Sequence, residues 1–274
     1  MSPHRLFAVS DLHLGHAANR EAIEAIRPRP DDWLILAGDV AERDEHIRLA
    51  FEHFGQKFRQ LVWVPGNHEL WTRPGRDAVR GEARYAHLVE LCRSYGVLTP
   101  EDDYPVLNLI GGPVRLVPMF LLYDYSFRPD HVALDDAVAW ARESGVVCTD
   151  ELLLSPKPHD SRSAWCHARV EATRARLEAL DEALPTILIN HWPLRHEFAV
   201  PPRIPRFSLW CGTVKTADWH WRYRAKAVVS GHLHMPSTRL LDDTRFEEVS
   251  FGYPKQWQGR RHDPDTALRE IMAA

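Results

Sequence analysis

The sequence predicts an α/β fold, layered with helices on the outside. Short, nearly continuous apolar runs recur between turn residues, as in strands of sheets covered on both faces. Segments of helical composition separate the early runs, in the order strand-helix-strand-helix-strand. Several of the runs end on Gly, Asp, Asn or His, so that polar groups would gather at one sheet edge.

The first strand is Leu6 to Ser10, and a helix over Ala17 to Arg27 stops before Pro28. Trp33 to Ala37 is the next strand, and the helix Glu42 to Phe54 ends at Gly55, a C-cap residue. Leu61 to Pro65 reads as a strand, and Arg76 to Tyr95 as a helix ending at Gly96. Residues 99–130 are rich in Pro and Gly and irregular, apart from a strand over Arg115 to Phe120. Helices follow over His131 to Ser144 and over Ser161 to Leu184, the second stopped by Pro185. The remaining strands are Thr186 to Ile189, Ala227 to Ser230 and Phe246 to Phe251. Between the first two of these, residues 192–222 hold Pro193, Pro201, Pro202, Pro205 and the cluster Trp192, Trp210, Trp219 and Trp221. A loop this long in a compact domain tends to be functional or disordered, and the aromatic content argues against disorder. It is expected to fold over the active site.

With 274 residues the chain can bury a sizeable core, as one large domain or two small ones. An apolar fraction of 45%, a charged fraction of 26% and a net charge of −4 are ordinary for a soluble protein and give no nucleic-acid footprint. Arg260 and Arg261, near Lys255, read as a solvated tail. Cys92, Cys148, Cys166 and Cys211 are scattered with no Cys-x-x-Cys spacing, which fits free thiols in a reducing cytosol. Leu6 to Val9 is too short for a signal-peptide core, and no stretch spans a bilayer. A cytoplasmic protein with neither membrane nor nucleic acid as partner is expected.

The chemistry sits in short islands: Asp11-Leu12-His13, Gly38-Asp39, Gly66-Asn67-His68-Glu69, Asn190-His191 and Gly231-His232-Leu233-His234. Each follows a predicted strand. Asp-x-His alone is a weak signal, because most occurrences are accidental. The set together is hard to explain by packing, and its carboxylates, amide and imidazoles are the ligand inventory of two divalent metals side by side. Such a pair most often hydrolyses a phosphate ester. His16 lies near the start of a helix and can face the site. Trp192, Arg195 and His196 follow His191 closely and are candidates for touching substrate. Glu69 reads as structural, and His46, His53, His87, His159, His167 and His262 as surface residues.

This series of islands resembles the calcineurin-like metallophosphoesterase family, over residues 11–234. The resemblance implies a four-layer αββα sandwich in a single domain, 1–274. It implies that Asp11, His13, Asp39 and His234 hold one metal and that Asp39, Asn67, His191 and His232 hold the other, bridged by Asp39. It implies hydrolysis by a metal-bridging hydroxide, with His68 as proton donor or stabiliser of the phosphoryl group. The metals would be Mn or Fe, with Zn also compatible. Where the family commonly has Gly-Asp-x-x-Asp-Arg-Gly, this chain has Gly38-Asp39-Val40-Ala41-Glu42-Arg43-Asp44. Glu42 takes the place that would orient His68, and Arg43 the place that would bind phosphate. Both also fit an exposed first helical turn, and the final Gly is missing.

Family membership does not name a substrate. Trp71 and the stretches Pro118 to Tyr125, Ala164 to Val170, Ser208 to Thr213 and Arg245 to Ser250 resemble the actinobacterial phosphopantetheinyl-hydrolase branch. That likeness implies a phosphodiesterase that releases phosphopantetheine from holo acyl carrier protein. Arg195, Arg203, Arg206, Trp210, Arg222 and Arg224 would then offer a rim for an acidic carrier. A small nucleotide or other phosphoester is the alternative substrate. A non-catalytic scaffold of the same fold is the alternative of another class.

Overall fold

Alternation along the strands decides the architecture. A computed structural model describes residues 5–109, 111–180, 184–259 and 263–272. In β1 (Leu6–Val9) every side chain is buried. Leu6 and Ala8 enter one apolar cluster, Phe7 and Val9 another. A strand whose alternate faces are both buried needs cover on both sides.

The cover is a second sheet on one face and helices on the other. The first sheet has the order β10-β1-β2-β3, with β2 (Arg29–Leu36) and β3 (Phe58–Trp63) parallel to β1 and β10 (Arg269–Met272) antiparallel to it. The second has the order β4-β5-β6-β7-β9-β8. Its strands are β4 (Val106–Leu109), β5 (Gly112–Pro118), β6 (Thr186–Ile189), β7 (Ala225–Ser230), β8 (Ser237–Leu241) and β9 (Thr244–Glu248). Here β5, β6, β7 and β9 run parallel, and β4 and β8 are antiparallel edges. Leu6, Ala8, Ile35, Ala37 and Val62 of the first sheet meet Leu116, Ile187, Ile189, Ala227 and Val229 of the second in one aliphatic layer.

The helices are α1 (Ala17–Glu24), α2 (Asp44–Gly55), α3 (Asn67–Leu70), α4 (Glu82–Ser94), α5 (Ala137–Glu143), α6 (Asp150–Leu153), α7 (Arg162–Glu178), α8 (Trp219–Arg222) and α9 (Pro254–Trp257). Ile47, Ala50, Phe51 and Phe54 are the buried stripe of α2, and Trp165, Cys166, Val170 and Leu177 lie on that of α7. The result is a four-layer αββα arrangement.

Several boundaries differ from expectation. The helix expected from Arg76 starts only at Glu82, because Gly81 lies at φ 62° and ψ −132°, outside helical space, and residues 73–79 form an exposed loop. Gly55 ends α2 from inside the helix, and Gln56 is its C-cap. The helix expected over Ser161 to Leu184 spans Arg162–Glu178, with the Ser161 hydroxyl accepting from Ala164 N–H at 3.0 Å. Residues 181–183, and Arg260, Arg261 and His262, lie outside the described residues. The edge strands β4 and β8 were not expected, being short and largely exposed. β10 also escaped: only its Ile271 is fully buried. The four cysteines are free thiols. Among the described residues no helix is long and apolar enough to cross a membrane.

Candidate metal centre

Both sheets point their carboxyl ends at one place. Asp11 and His13 follow β1, Asp39 follows β2, and Asn67 and His68 open α3 after β3. His191 follows β6, and His232 and His234 follow β7. Asp11, His13, Asp39, His232 and His234 have φ of 54°, 43°, 54°, 74° and 53°, in the left-handed region. Backbone bonds hold the turns together: Asp11 N–H donates to Gly38 C=O at 2.9 Å, and His13 N–H to Asp39 C=O at 3.0 Å. Gly66 and Gly231 are needed for close approach, since a Cβ on Gly66 would meet Asp39 Oδ1 and one on Gly231 would meet Asp11 Oδ2 and Ser10 Oγ.

Two donor groups share the space. Ligand atoms of Asp11, His13 and His234 lie within 4.8 Å of one another, as do those of Asp39, His191 and His232. His13 also groups with Asp39 and His68. His234 Nε2 is 3.0 Å from both His13 Nε2 and Asp11 Oδ1, and His191 Nε2 is 3.5 Å from Asp39 Oδ2. The buried atoms His191 Nε2, His232 Nε2 and Asn67 Oδ1 have no hydrogen-bond partner. Native interiors seldom leave such atoms unpaired, and these face a ring of further donors. Imidazole nitrogens, carboxylates and an amide oxygen in this array fit a pair of divalent ions.

The surroundings fix which atoms face inward. His191 Nδ1 donates to Ala37 C=O at 2.9 Å, and His234 Nδ1 to Gln256 Oε1 at 2.8 Å, which turns each Nε2 toward the centre. Asp11 Oδ2 accepts from Ser10 Oγ at 2.6 Å, Ser250 Oγ at 2.7 Å and His232 N–H at 3.0 Å, leaving Oδ1 to the centre. Asn67 Nδ2 donates to Asp150 Oδ1 at 2.9 Å, which turns Asn67 Oδ1 the other way. Glu69 accepts from the backbone N–H groups of Asp39, Val40 and Gly66, so its role is structural.

Charge follows the geometry. Burial pushes His13 and His232 down to about 3, so both rings are neutral. Burial opposes charge on Asp39, yet His191 and His68 hold its carboxyl well below the usual range. Burial likewise opposes charge on His191, but Asp39 raises it to about 10. Glu69 and Glu248 are raised to about 7, chiefly by burial and then by Asp39 and Asp11 respectively.

His68 stands beside the donor ring. Its Nδ1 donates to Glu42 Oε1 at 3.2 Å, and its Nε2 is 3.5 Å from the Tyr253 hydroxyl and 3.9 Å from Asp39 Oδ2. Burial works against its proton, but Asp39 and Glu42 outweigh burial and raise its pKa. A cavity of about 490 Å³ opens there, lined by His13, His16, Glu42, Arg43, His46, His68, Trp71 and Tyr253 among others.

His16 and Arg43 therefore reach the cavity, though Arg43 pairs with Glu45 at 3.2 Å. Trp192 does not reach it: the ring is fully buried, edge-on to His191 at 5.1 Å and tilted on His232 at 5.9 Å. It packs behind the donors rather than beside a substrate. Arg195 donates to Glu197 and Ala217 C=O, and His196 packs on Phe127. Neither lines the cavity, because the chain turns away from it after His191. The 192–222 loop is a stack of short helical turns whose Phe207 ring lies on His232 at 5.7 Å. His46, expected on the surface, is half-buried in the cavity wall.

Tyr253 was missed. It stacks on His13 at 4.3 Å and edge-on to His234 at 4.8 Å. Its position just past a predicted strand was the available signal, the same one that marked the islands. Asp150, which also accepts from Trp71 Nε1 at 2.6 Å, lies in a short helix with no motif around it.

The model of the family described as calcineurin-like phosphoesterase matches residues 4–236. The chain is 54% identical over 271 residues to the "[Acyl-carrier-protein] phosphodiesterase PptH" of Mycobacterium tuberculosis, covering 97% of this chain and 83% of that protein. The crystal structure of phosphopantetheinyl hydrolase (PptH) from Mycobacterium tuberculosis superposes with a TM-score of 0.92 at 51% identity, covering 98% of this chain and 96% of that one.

Proposed function

This chain belongs to the calcineurin-like phosphoesterase family, and we propose that it hydrolyses the phosphopantetheine-serine phosphodiester of holo acyl carrier protein. One observation carries the reading: the 54% identity with an acyl-carrier-protein phosphodiesterase extends over 97% of the chain, through the site and its walls. Asp11, His13, Asp39 and His234 would hold one ion and Asp39, Asn67, His191 and His232 the other, a reading supported by their shared position and by the unpartnered His191, His232 and Asn67 atoms. Manganese and iron suit this nitrogen and oxygen set, and zinc is compatible. Such ions supply charge that neutralises phosphoryl oxygens and makes water a competent nucleophile at neutral pH. The four free thiols and the carrier substrate support a cytoplasmic setting.

The chain's own residues do the rest. Water loses a proton to solvent as its oxygen adds to phosphorus, the bond from phosphorus to the carrier serine Oγ breaks, and His68 gives its Nε2 proton to that oxygen and regains one from solvent. The products are the carrier with a free serine and 4′-phosphopantetheine. Glu42 at Nδ1 keeps the His68 ring oriented and favours its charged form. The Tyr253 hydroxyl borders the same nitrogen and limits where the leaving oxygen can sit.

The test is mass spectrometry of holo carrier protein after incubation with enzyme and Mn²⁺. Loss of the phosphopantetheinyl mass is expected. An unchanged holo carrier, with an enzyme that still turns over bis(p-nitrophenyl) phosphate, would reject the substrate and favour a small phosphoester. No bound metal and no turnover of either compound would favour a scaffold.

A further inference from the structure

We propose that the wall built by Trp71 and the 73–79 loop is the docking face for the carrier protein, with Arg73 and Arg76 as the cations an acidic partner meets. The inference rests on the substrate reading above. In-line displacement puts the leaving oxygen opposite the attacking one. With His68 protonating that oxygen, the carrier serine and the protein behind it lie on the His68 side.

On that side the site is not closed. Beyond Glu42, Arg43 and Trp71 lies a second hollow of about 480 Å³, which shares these three residues with the first. Thr72, Arg76, Ala78 and Val79 line it. Trp71 is half-buried, and Val79 is an exposed apolar side chain. The acids of this wall, Glu42, Asp44 and Asp77 in its lining and Glu45 beside it, each hold a hydrogen-bond donor, and only Asp77 has no cationic or imidazole partner. Glu42 accepts from His68, Asp44 binds both Arg84 and His87, Glu45 pairs with Arg43, and Asp77 accepts from the Arg73 backbone N–H. Among the described residues, the guanidinium groups of Arg73 and Arg76 have no ion pair or side-chain hydrogen bond. A small apolar centre bordered by free cations complements an acidic protein and steers its approach.

On the expected rim of the 192–222 loop, Arg203 is as free as Arg73 and Arg76, but it lines neither hollow beside His68, and most of the other cations there are engaged. Arg195 pairs with Glu197, Arg206 with Glu143 and Arg222 with Glu178. Cations that already hold an acid offer little to a second one.

The experiment compares wild type with the double variant Arg73→Glu, Arg76→Glu on holo carrier protein and on bis(p-nitrophenyl) phosphate. On the carrier, kcat/KM is expected to fall about tenfold or more, mostly through KM, and the gap to narrow as salt rises. Turnover of the small diester should match wild type, which also reports that the variant is folded and metal-loaded. Equal carrier kcat/KM in both enzymes overturns the docking face and leaves the substrate reading standing. A wild type that cleaves the diester but no holo carrier overturns the substrate reading and the face with it.

Discussion

His68 touches an acid at one nitrogen and the cavity at the other, and this asymmetry defines its test. A serine alkoxide is a poor leaving group, whereas p-nitrophenolate departs without a proton. His68→Asn is therefore expected to lower kcat on holo carrier by roughly 10²–10⁴-fold and to affect bis(p-nitrophenyl) phosphate far less. Metal content, measured on the same preparation, should be unchanged. Remote from the site, Asp265 binds Arg29 and Arg27 through both oxygens. The Arg29 bond leads in holding its carboxyl below the usual range, against burial. Such a group stabilises the fold fully above its unfolded pKa of about 3.9 and loses the effect as pH falls toward the folded value. Urea unfolding of Asp265→Asn should show a deficit of about 2 kcal/mol at pH 7, narrowing below pH 4. Side-chain roles divided by how far they are carried in sequence. The donors were legible because each lies just past the end of a strand. Asp150 was not, because it reaches Asn67 from a distant helix.

At the scale of elements, the strand-to-loop junctions carry the chemistry. Five site residues occupy left-handed backbone, which costs non-glycine residues on the order of 1–3 kcal/mol each. The bonds from Asp11 N–H to Gly38 and from His13 N–H to Asp39 offset part of that. Glycine next to these turns is a spatial requirement. Gly66→Ala and Gly231→Ala should each release metal, read by elemental analysis, and destabilise the protein by on the order of 1–3 kcal/mol. Gly15→Ala, where an added Cβ meets nothing within 4 Å, should change neither. The central parallel strands were legible because both faces are apolar. The edge strands β4 and β8 were not, since one-sided pairing leaves little pattern, and residues 76–81 read as helix because their charges resemble a solvated helical face.

Across the whole molecule, the donors divide between the sheets: Asp11, His13, Asp39 and Asn67 come from the first, His191, His232 and His234 from the second. Ions held between them would tie the two layers together. Anything that binds only the folded state stabilises it by mass action, about 2.7 kcal/mol at a hundredfold excess over Kd. Removal of metal by a chelator should therefore lower Tm by several degrees, and Mn²⁺ should restore it in a concentration-dependent way. An unchanged Tm with demonstrated metal loss would contradict a clamp across the sheets. The αββα arrangement itself was implied by the family resemblance that the islands carry, whereas the closing strand β10 and the docking wall depended on tertiary contacts. The aliphatic layer between the sheets has a further consequence. Leu6, Ala8 and Ile35 on one side and Ile187, Ile189 and Val229 on the other act as a spacer that sets the gap of the donor array. A methyl group removed from that spacer therefore bears on the gauge of the donor array as well as on the packing of the core.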